Sequence, residues 1–295
     1  MKKNVLSCFD GMSCCQISLN NLGIEIDNYF SSEIDVDSIK VTLSNFPNTK
    51  QLGDIRNITT KDLPEIYLLT AGFPCTDVSI CGKKKGMSNV ESFEHYMELK
   101  NSNHDFGKSQ SYLFYEVVRL YKELTPKYFL IENVLLKGQL NKFEKTISEY
   151  LGVEPLRINS SLVSSQNRER LYWTDIPNIV IPEDKGILTT DIIPNGYGAG
   201  FRGRKIFDKY IPHFTVRKDG KFNCLVTNPN ATNLVYFKDG SYRKITVNES
   251  EQIQTIPIGY TNVEGVPDTK KFKMIGNGWT VKVIDSLLEP LKYLD

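Results

Sequence analysis

Short apolar runs alternate with stretches of helical periodicity through the first half of the chain. Val5–Phe9 is a compact apolar run, and a helix-like stretch follows it through Leu22. Tyr29–Ser32 leads to the acidic Glu33, and Gln51–Ile55 ends in Gly53-Asp54-Ile55. Ile66–Ala71 is apolar and stops at Gly72-Phe73-Pro74. Leu113–Leu124 carries apolar residues at helical spacing, and Tyr128–Ile131 reads as another buried strand. This alternation predicts an α/β fold, with a doubly wound, mostly parallel sheet covered by helices on both faces. Ligands in such sheets sit beyond the carboxyl ends of the strands.

After about Asp175 the pattern changes. Helical periodicity fades, and glycine and asparagine gather in Pro194-Asn195-Gly196-Tyr197-Gly198-Ala199-Gly200. A smaller, loop-rich second domain is expected over 176–271, with 1–175 and 272–295 forming the larger one. The amphipathic stretch Val281–Leu294 is expected to return to the first domain, with Gly276–Leu294 packing beside Phe9–Gly11. Ser88–Ser111 is polar with little periodicity and is expected to be a mobile loop.

Composition narrows the class. The chain has 295 residues, 40% hydrophobic and 24% charged, which is ordinary for a globular protein with a real core. No apolar run approaches the roughly 18–20 residues needed to span a bilayer. The start meets Asp10 too soon for a signal peptide, so an intracellular protein is expected. The 6 cysteines form no CxxC pair and lie away from the 3 histidines, so free thiols and no metal site are expected. A net charge of +1 announces no polyanionic partner. Its distribution is more telling: Arg202, Arg204, Lys205, Lys209, Arg217, Lys218 and Lys221 crowd one late stretch, and Lys83–Lys85 form a second cluster.

Four short motifs carry chemistry. Phe9-Asp10-Gly11-Met12-Ser13 is a strand followed by a tight glycine turn into a helix, a cradle for a nucleotide-like cofactor. Glu33, past the second strand, can accept from ribose hydroxyls, and Asp54, ending the third, from an adenine amino group. That set suits adenosylmethionine better than a pyrophosphate. Cys75 follows a proline at the end of a buried strand, held at the ligand edge of the sheet. Glu132 ends another buried strand and needs a partner there. In Gln166-Asn167-Arg168-Glu169-Arg170 the two arginines share one face of an extended segment and can pin a carboxylate. Each motif alone has a plain alternative: a buried thiol, a helix cap or surface charge.

Taken in order, these residues resemble the cytosine carbon-5 DNA methyltransferases. Phe9-Asp10-Gly11 is similar to the first cofactor motif, Gly72-Phe73-Pro74-Cys75 to the proline–cysteine motif, and Glu132-Asn133-Val134 to the glutamate–asparagine–valine motif. Gln166–Arg170 is similar to the glutamine-x-arginine-x-arginine motif. Thr246, Glu249, Gln254 and Pro257 resemble the motif supporting the recognition domain, and Gly276-Asn277-Gly278-Trp279 the last motif. The pattern is most similar to the catalytic domain of the animal de novo enzymes and their phage and bacterial relatives. It departs from the family where Ser13-Cys14 replaces a second glycine, where Thr76 follows Cys75, and in the added polar stretch Ser88–Lys108.

The resemblance implies a Rossmann-like adenosylmethionine methyltransferase fold with a small target-recognition domain, acting on double-stranded DNA. It implies Cys75 as covalent nucleophile, Glu132 as the group at cytosine nitrogen 3, Arg168 holding Glu132, and Arg170 near the base or the thiolate. It assigns S-adenosyl-L-methionine, with S-adenosyl-L-homocysteine as product, to Phe9, Asp10, Gly11, Ser13, Glu33, Ile34, Asp54, Ile55, Phe73, Pro74, Leu113, Asn277 and Trp279. A monomer is expected. The alternatives are methylation of RNA cytosine by the same chemistry, or a silent DNA-binding paralogue.

Overall fold

The computed structural model describes residues 2–74, 90, 92–106, 110, 112–135, 141–206, 209–227 and 233–294, with backbone alone at 141–142, 201–206 and 209–214. The expected Cys75 and Lys83–Lys85 lie outside the described residues. The first half runs β1 (Asn4–Cys8), α1 (Cys14–Asn21), β2 (Asn28–Ser32), α2 (Val36–Asn45), β3 (Lys50–Gln51), β4 (Leu68–Ala71), α3 (Phe93–Asn101), α4 (Leu113–Leu124) and β5 (Tyr128–Val134). It continues through α5 (Asn141–Leu151), β6 (Leu156–Asn159) and β7 (Glu169–Thr174). Then come α6 (Thr189–Ile192), β8 (Gly196–Ile206), β9 (Lys209–Val216), β10 (Leu234–Phe237), β11 (Tyr242–Lys244), α7 (Val247–Ile253), α8 (Asp268–Asn277) and α9 (Val281–Leu288).

The main sheet has seven strands in the order β3-β2-β1-β4-β5-β7-β6. β3, β2, β1, β4 and β5 pair in parallel, and β7 is antiparallel to both its neighbours. All five residues of β1 and all four of β4 are buried, the continuous apolar signature of strands covered on both faces. One covering layer places Phe114, Val117, Val118 of α4 and Ile147 of α5 against Leu6, Leu69 and Ile131. The other sets Cys15 and Leu19 of α1 and Val283, Ile284 and Leu287 of α9 against Val5, Leu68 and Leu130. The order reverses between β1 and β4, so the switch point lies where both strands end.

The second half holds a four-stranded antiparallel sheet, β11-β10-β8-β9, more regular than the expected loop-rich stretch. Its Val235 joins a third core with Met12 and Ile17 of the first half, Ile253 of α7 and Ile275 of α8. α8 spans the expected boundary at 271/272. Two local expectations change. The polar stretch 88–111 contains α3, whose Tyr96 is buried against Tyr112 and Tyr115. The third strand is only Lys50–Gln51: after Leu52 N bonds Ser31 O at 2.8 Å, Gly53 turns away with φ 71°, a conformation that favours glycine. No helix among the described residues is long and apolar enough to cross a membrane.

Candidate active site

Beyond β1 the chain makes a strained turn. Phe9, Gly11 and Ser13 all have positive φ, at 55°, 57° and 61°. Two of these are not glycine, a conformation that persists only where neighbours hold it. Asp10 holds it from below, accepting from Tyr29 Oη at 2.8 Å and from the Ser13 hydroxyl. Burial raises the Asp10 pKa above the usual carboxylate range, although hydrogen bonds from Ser13, Ser7, Tyr29 and Ser31 oppose it. Glu33 completes the turn. It accepts from the backbone N–H of Gly11 (2.8 Å), Ile34 (2.7 Å) and Asp35 (2.8 Å). Those bonds fix its orientation and occupy most of the roughly four acceptor positions of a carboxylate.

Asp54 caps the turn Ile55–Asn57 and is held by Arg56 through Nε and Nη2. The hydrogen bond from Arg56 keeps its carboxyl below the usual range. The acceptor expected to be free for an amino group is therefore engaged. The pair is solvent-exposed and worth at most about 1 kcal/mol, so a ligand can displace it.

A cleft of about 680 Å³ opens beyond the carboxyl ends of β1, β4 and β5. Phe9, Asp10, Gly11, Glu33, Ile34, Phe73, Pro74, Leu113, Glu132, Arg168, Arg170, Asn277 and Trp279 all line it. A neighbouring cavity of about 380 Å³ shares Phe9, Glu33, Ile34 and Leu113 and adds Asp54 and Ile55. Ser13 lines neither: fully buried, it braces Asp10. Sequence reasoning missed Arg56 and Tyr112 on the smaller cavity, and Lys270 and Lys273 on the larger. The two lysines pair with Asp37 of α2 (3.0 Å) and with Asp35, which caps it (2.7 Å), an arrangement that sequence could signal only as opposite charges far apart.

Glu132, 8% exposed, reaches the cleft from β5. Its Oε1 lies 3.1 Å from Arg170 Nε, and its Oε2 accepts from Trp279 Nε1 at 3.0 Å. The expected partner, Arg168, is elsewhere. Its Nη1 donates to Gly276 O (3.1 Å) and Leu225 O (3.4 Å), and its Nη2 to Gly278 O (2.9 Å). Strand register explains the exchange. Glu132 pairs with Tyr172 and Val134 with Arg170, so Arg170 is the diagonal neighbour of Glu132 on one face. Arg168 precedes β7 and falls where the C-terminal segment crosses.

Both arginines approach Cys224, with Nη1 of Arg168 at 3.4 Å and Nη2 of Arg170 at 3.9 Å from Sγ. Burial raises the Cys224 pKa, but the two guanidinium groups outweigh it and hold the thiol below its ordinary value. Cys8, Cys14 and Cys15 line the cleft in the opposite state: burial pushes all three up, Cys14 and Cys15 to about 12, so they stay neutral. The β4 end aims Gly72-Phe73-Pro74 into the cleft, with Phe73 O accepting from Asn133 Nδ2 at 3.4 Å. In the basic stretch, Lys221 is buried and donates to Ser161 O and Ile187 O (2.7 Å each), and Arg217 pairs with Asp219. Arg202, Arg204 and Lys205 lie on β8. Among the described residues no three His, Cys, Asp or Glu side chains gather as metal ligands.

A family model for C-5 cytosine-specific DNA methylase matches residues 3–183 and 183–293. Type II methyltransferase M1.ScrFI of Lactococcus lactis subsp. cremoris is 27% identical, over 98% of this chain and 78% of its own length. Orphan methyltransferase M.Rho11sI of Bacillus phage rho11s is 29% identical over 66% of this chain; the match covers 38% of that longer protein. Among solved structures, the Entamoeba histolytica methyltransferase EhMeth superposes with a TM-score of 0.67 at 16% identity, covering 100% of this chain and 99% of its own. Spodoptera frugiperda DNMT2, as a mutant, gives 0.69 at 16%, covering 99% and 100%. Both share the fold.

Proposed function

Since the chain belongs to the C-5 cytosine-specific DNA methylase family, and is a DNA cytosine methyltransferase by that membership, we propose that it methylates carbon 5 of a cytosine swung out of duplex DNA, using adenosylmethionine and a covalent bond to Cys75. One observation carries this reading: the Pro74 end of β4, the Glu132–Arg170 pair and the acid Glu33 face one cleft at the switch point of the sheet. The cleft and its neighbour have the size of small-molecule sites. Their donor set suits adenosylmethionine: Glu33 beside the glycine turn for the ribose, Asp54 for the adenine, and the Phe9–Gly11 and Asn277–Trp279 segments for the amino-acid end. When bound, adenosylmethionine supplies an electrophilic methyl group.

Cytosine carbon 5 is a weak nucleophile. The Cys75 thiolate adds to carbon 6, and the electron pair displaced from the carbon 5–carbon 6 bond makes carbon 5 an enamine carbon. Glu132 shares a proton with ring nitrogen 3, where negative charge would otherwise build. Arg170 keeps Glu132 facing the base. After alkylation a base removes the carbon-5 proton, and the Cys75 sulfur leaves carbon 6 with its electron pair. A stacked cytosine cannot reach the cleft, so the base must leave the duplex. Residues 176–271, with Arg202, Arg204 and Lys205 on β8, form the target-recognition domain in this reading and hold phosphates.

Transfer of labelled methyl from adenosylmethionine to duplex DNA, single-stranded DNA and structured RNA tests the proposal, with 5-methylcytosine identified by mass spectrometry. Cys75→Ser should abolish transfer while calorimetric binding of adenosylmethionine persists. Label on RNA alone, or full turnover by Cys75→Ser, overturns it.

A further inference from the structure

The family motif brings Trp279 back to the cofactor wall, yet its indole N–H points at the acid: Nε1 donates to Glu132 Oε2 at 3.0 Å. We propose that Trp279 is a positioning residue for Glu132, and that Gly72 is glycine so that the indole can reach it. The inference rests on the reading of Glu132 as the group that meets cytosine nitrogen 3.

A glutamate at a strand end has freely turning side-chain bonds, and one donor would leave its carboxylate plane free to rotate. Here two groups from different elements hold one oxygen each: the Arg170 guanidinium of β7 forms an ion pair at Oε1, and Trp279 donates a hydrogen bond to Oε2. Each oxygen keeps a further acceptor position, so the carboxylate is oriented without being used up. Trp279 is itself anchored on both sides. Gly278 O accepts from Arg168 Nη2 at 2.9 Å and from Gln254 Nε2. Thr280 Oγ1 bonds Ser160 Oγ at 2.8 Å and Gln254 Oε1 at 3.2 Å. This gives buried Arg168 a role although it makes no ion pair with Glu132: it holds the backbone that carries the indole.

Gly72 supplies the independent observation. A Cβ there would stand 2.9 Å from Trp279 Nε1, 3.4 Å from Trp279 Cε2 and 3.4 Å from Glu132 Oε2. The first distance is closer than real Cβ contacts come, and the indole cannot retreat without leaving Glu132. The glycine therefore makes room for the tryptophan–glutamate contact itself.

The test is methyl transfer to duplex DNA by the full chain, with kcat and the adenosylmethionine KM measured separately. Trp279→Phe keeps a ring and removes the donor. A lost hydrogen bond to a charged group predicts a fall in kcat of roughly 10- to 100-fold. Calorimetric affinity for adenosylmethionine should fall far less than kcat. In a Glu132→Gln background Trp279→Phe should cost much less, because the two act as a pair. Gly72→Ala, which retains every atom of Trp279, should show the same kcat loss and makes the same test should the phenylalanine variant not fold. Added to Trp279→Phe it should cost little more, since phenylalanine has no Nε1. Unchanged kcat, a loss confined to cofactor binding, or an equal loss in the Glu132→Gln background overturns the assignment. If the parent protein transfers no methyl group at all, the proposed function fails instead.

Discussion

The two arginines flanking Glu169 should fail in different ways when removed. Arg170 Nε stands 3.1 Å from Glu132 Oε1, with the side chains only 15% and 10% exposed. Removing one member of a buried pair costs about 3–5 kcal/mol, because the other charge is left without a partner. If the transition state needs Glu132 in place, even the lower figure slows Arg170→Ala by on the order of 100-fold in kcat. Arg168→Ala strips donors from Leu225 O, Gly276 O and Gly278 O, at 3.4, 3.1 and 2.9 Å. At about 1.5 kcal/mol or more for each bond from a charged donor, discounted for the longest, the loss is about 3–4 kcal/mol of stability. That corresponds to a fall in Tm on the order of 10 °C. The Asn277–Trp279 segment should also loosen, raising the adenosylmethionine KM. Differential scanning fluorimetry and steady-state methyl transfer on both variants measure this. A stable Arg168→Ala protein with collapsed kcat, beside an Arg170→Ala protein with normal kcat, would refute the assignment of partners.

The cofactor acids should be unequal. Glu33→Ala removes the acceptor for three backbone N–H groups and should weaken adenosylmethionine binding by about 1–3 kcal/mol. Asp54→Ala should weaken it less, because Arg56 competes for the same oxygens; equal calorimetric losses would contradict that ordering. Neutralising Arg202, Arg204 and Lys205 together should reduce the logarithmic salt slope of DNA binding by roughly 2–3 and leave adenosylmethionine affinity alone; a parental slope would show the cluster to be ordinary surface. Cys224, its pKa held down by Arg168 and Arg170, has more thiolate at a given pH than an ordinary cysteine. Its alkylation by iodoacetamide, followed by peptide mapping, should therefore rise at lower pH than the roughly 8.5 of a free thiol. The Cys14 and Cys15 peptides should stay unmodified while the protein is folded, and a Cys224 midpoint at or above the ordinary value would rule out the paired guanidinium effect.

Local chemistry made much of this legible. The apolar runs that became β1, β4 and β5 need burial on both faces, which forces a covered sheet and places Gly11, Pro74 and Glu132 at its ligand edge. Leu113–Leu124 carries its own helical periodicity and is α4 at those bounds. The helix α3 was not legible, because its stabilising partners are distant: Tyr96 stacks on Tyr112, and Lys100 and Tyr96 bond the buried Glu116. A polar stretch with one buried face looks like a loop until that face has something to meet.

The ordered motifs by themselves determined the fold class, the family and most of the residues lining the cleft, since strand ends and turns are encoded within a few neighbours. Which arginine holds Glu132 was decided only in the tertiary structure. Arg168 and Arg170 are equivalent by type and spacing, and the antiparallel register of β5 and β7 sets one diagonal to Glu132 and leaves the other at the crossing C-terminal segment. The same holds for Trp279 and Gly72, 207 positions apart in sequence numbering. Their contact exists because α9 packs beside α1 and brings its preceding turn to the end of β4. Pairings of this kind depend on the relative placement of whole elements, which the summed burial of many side chains determines and no short stretch of sequence contains.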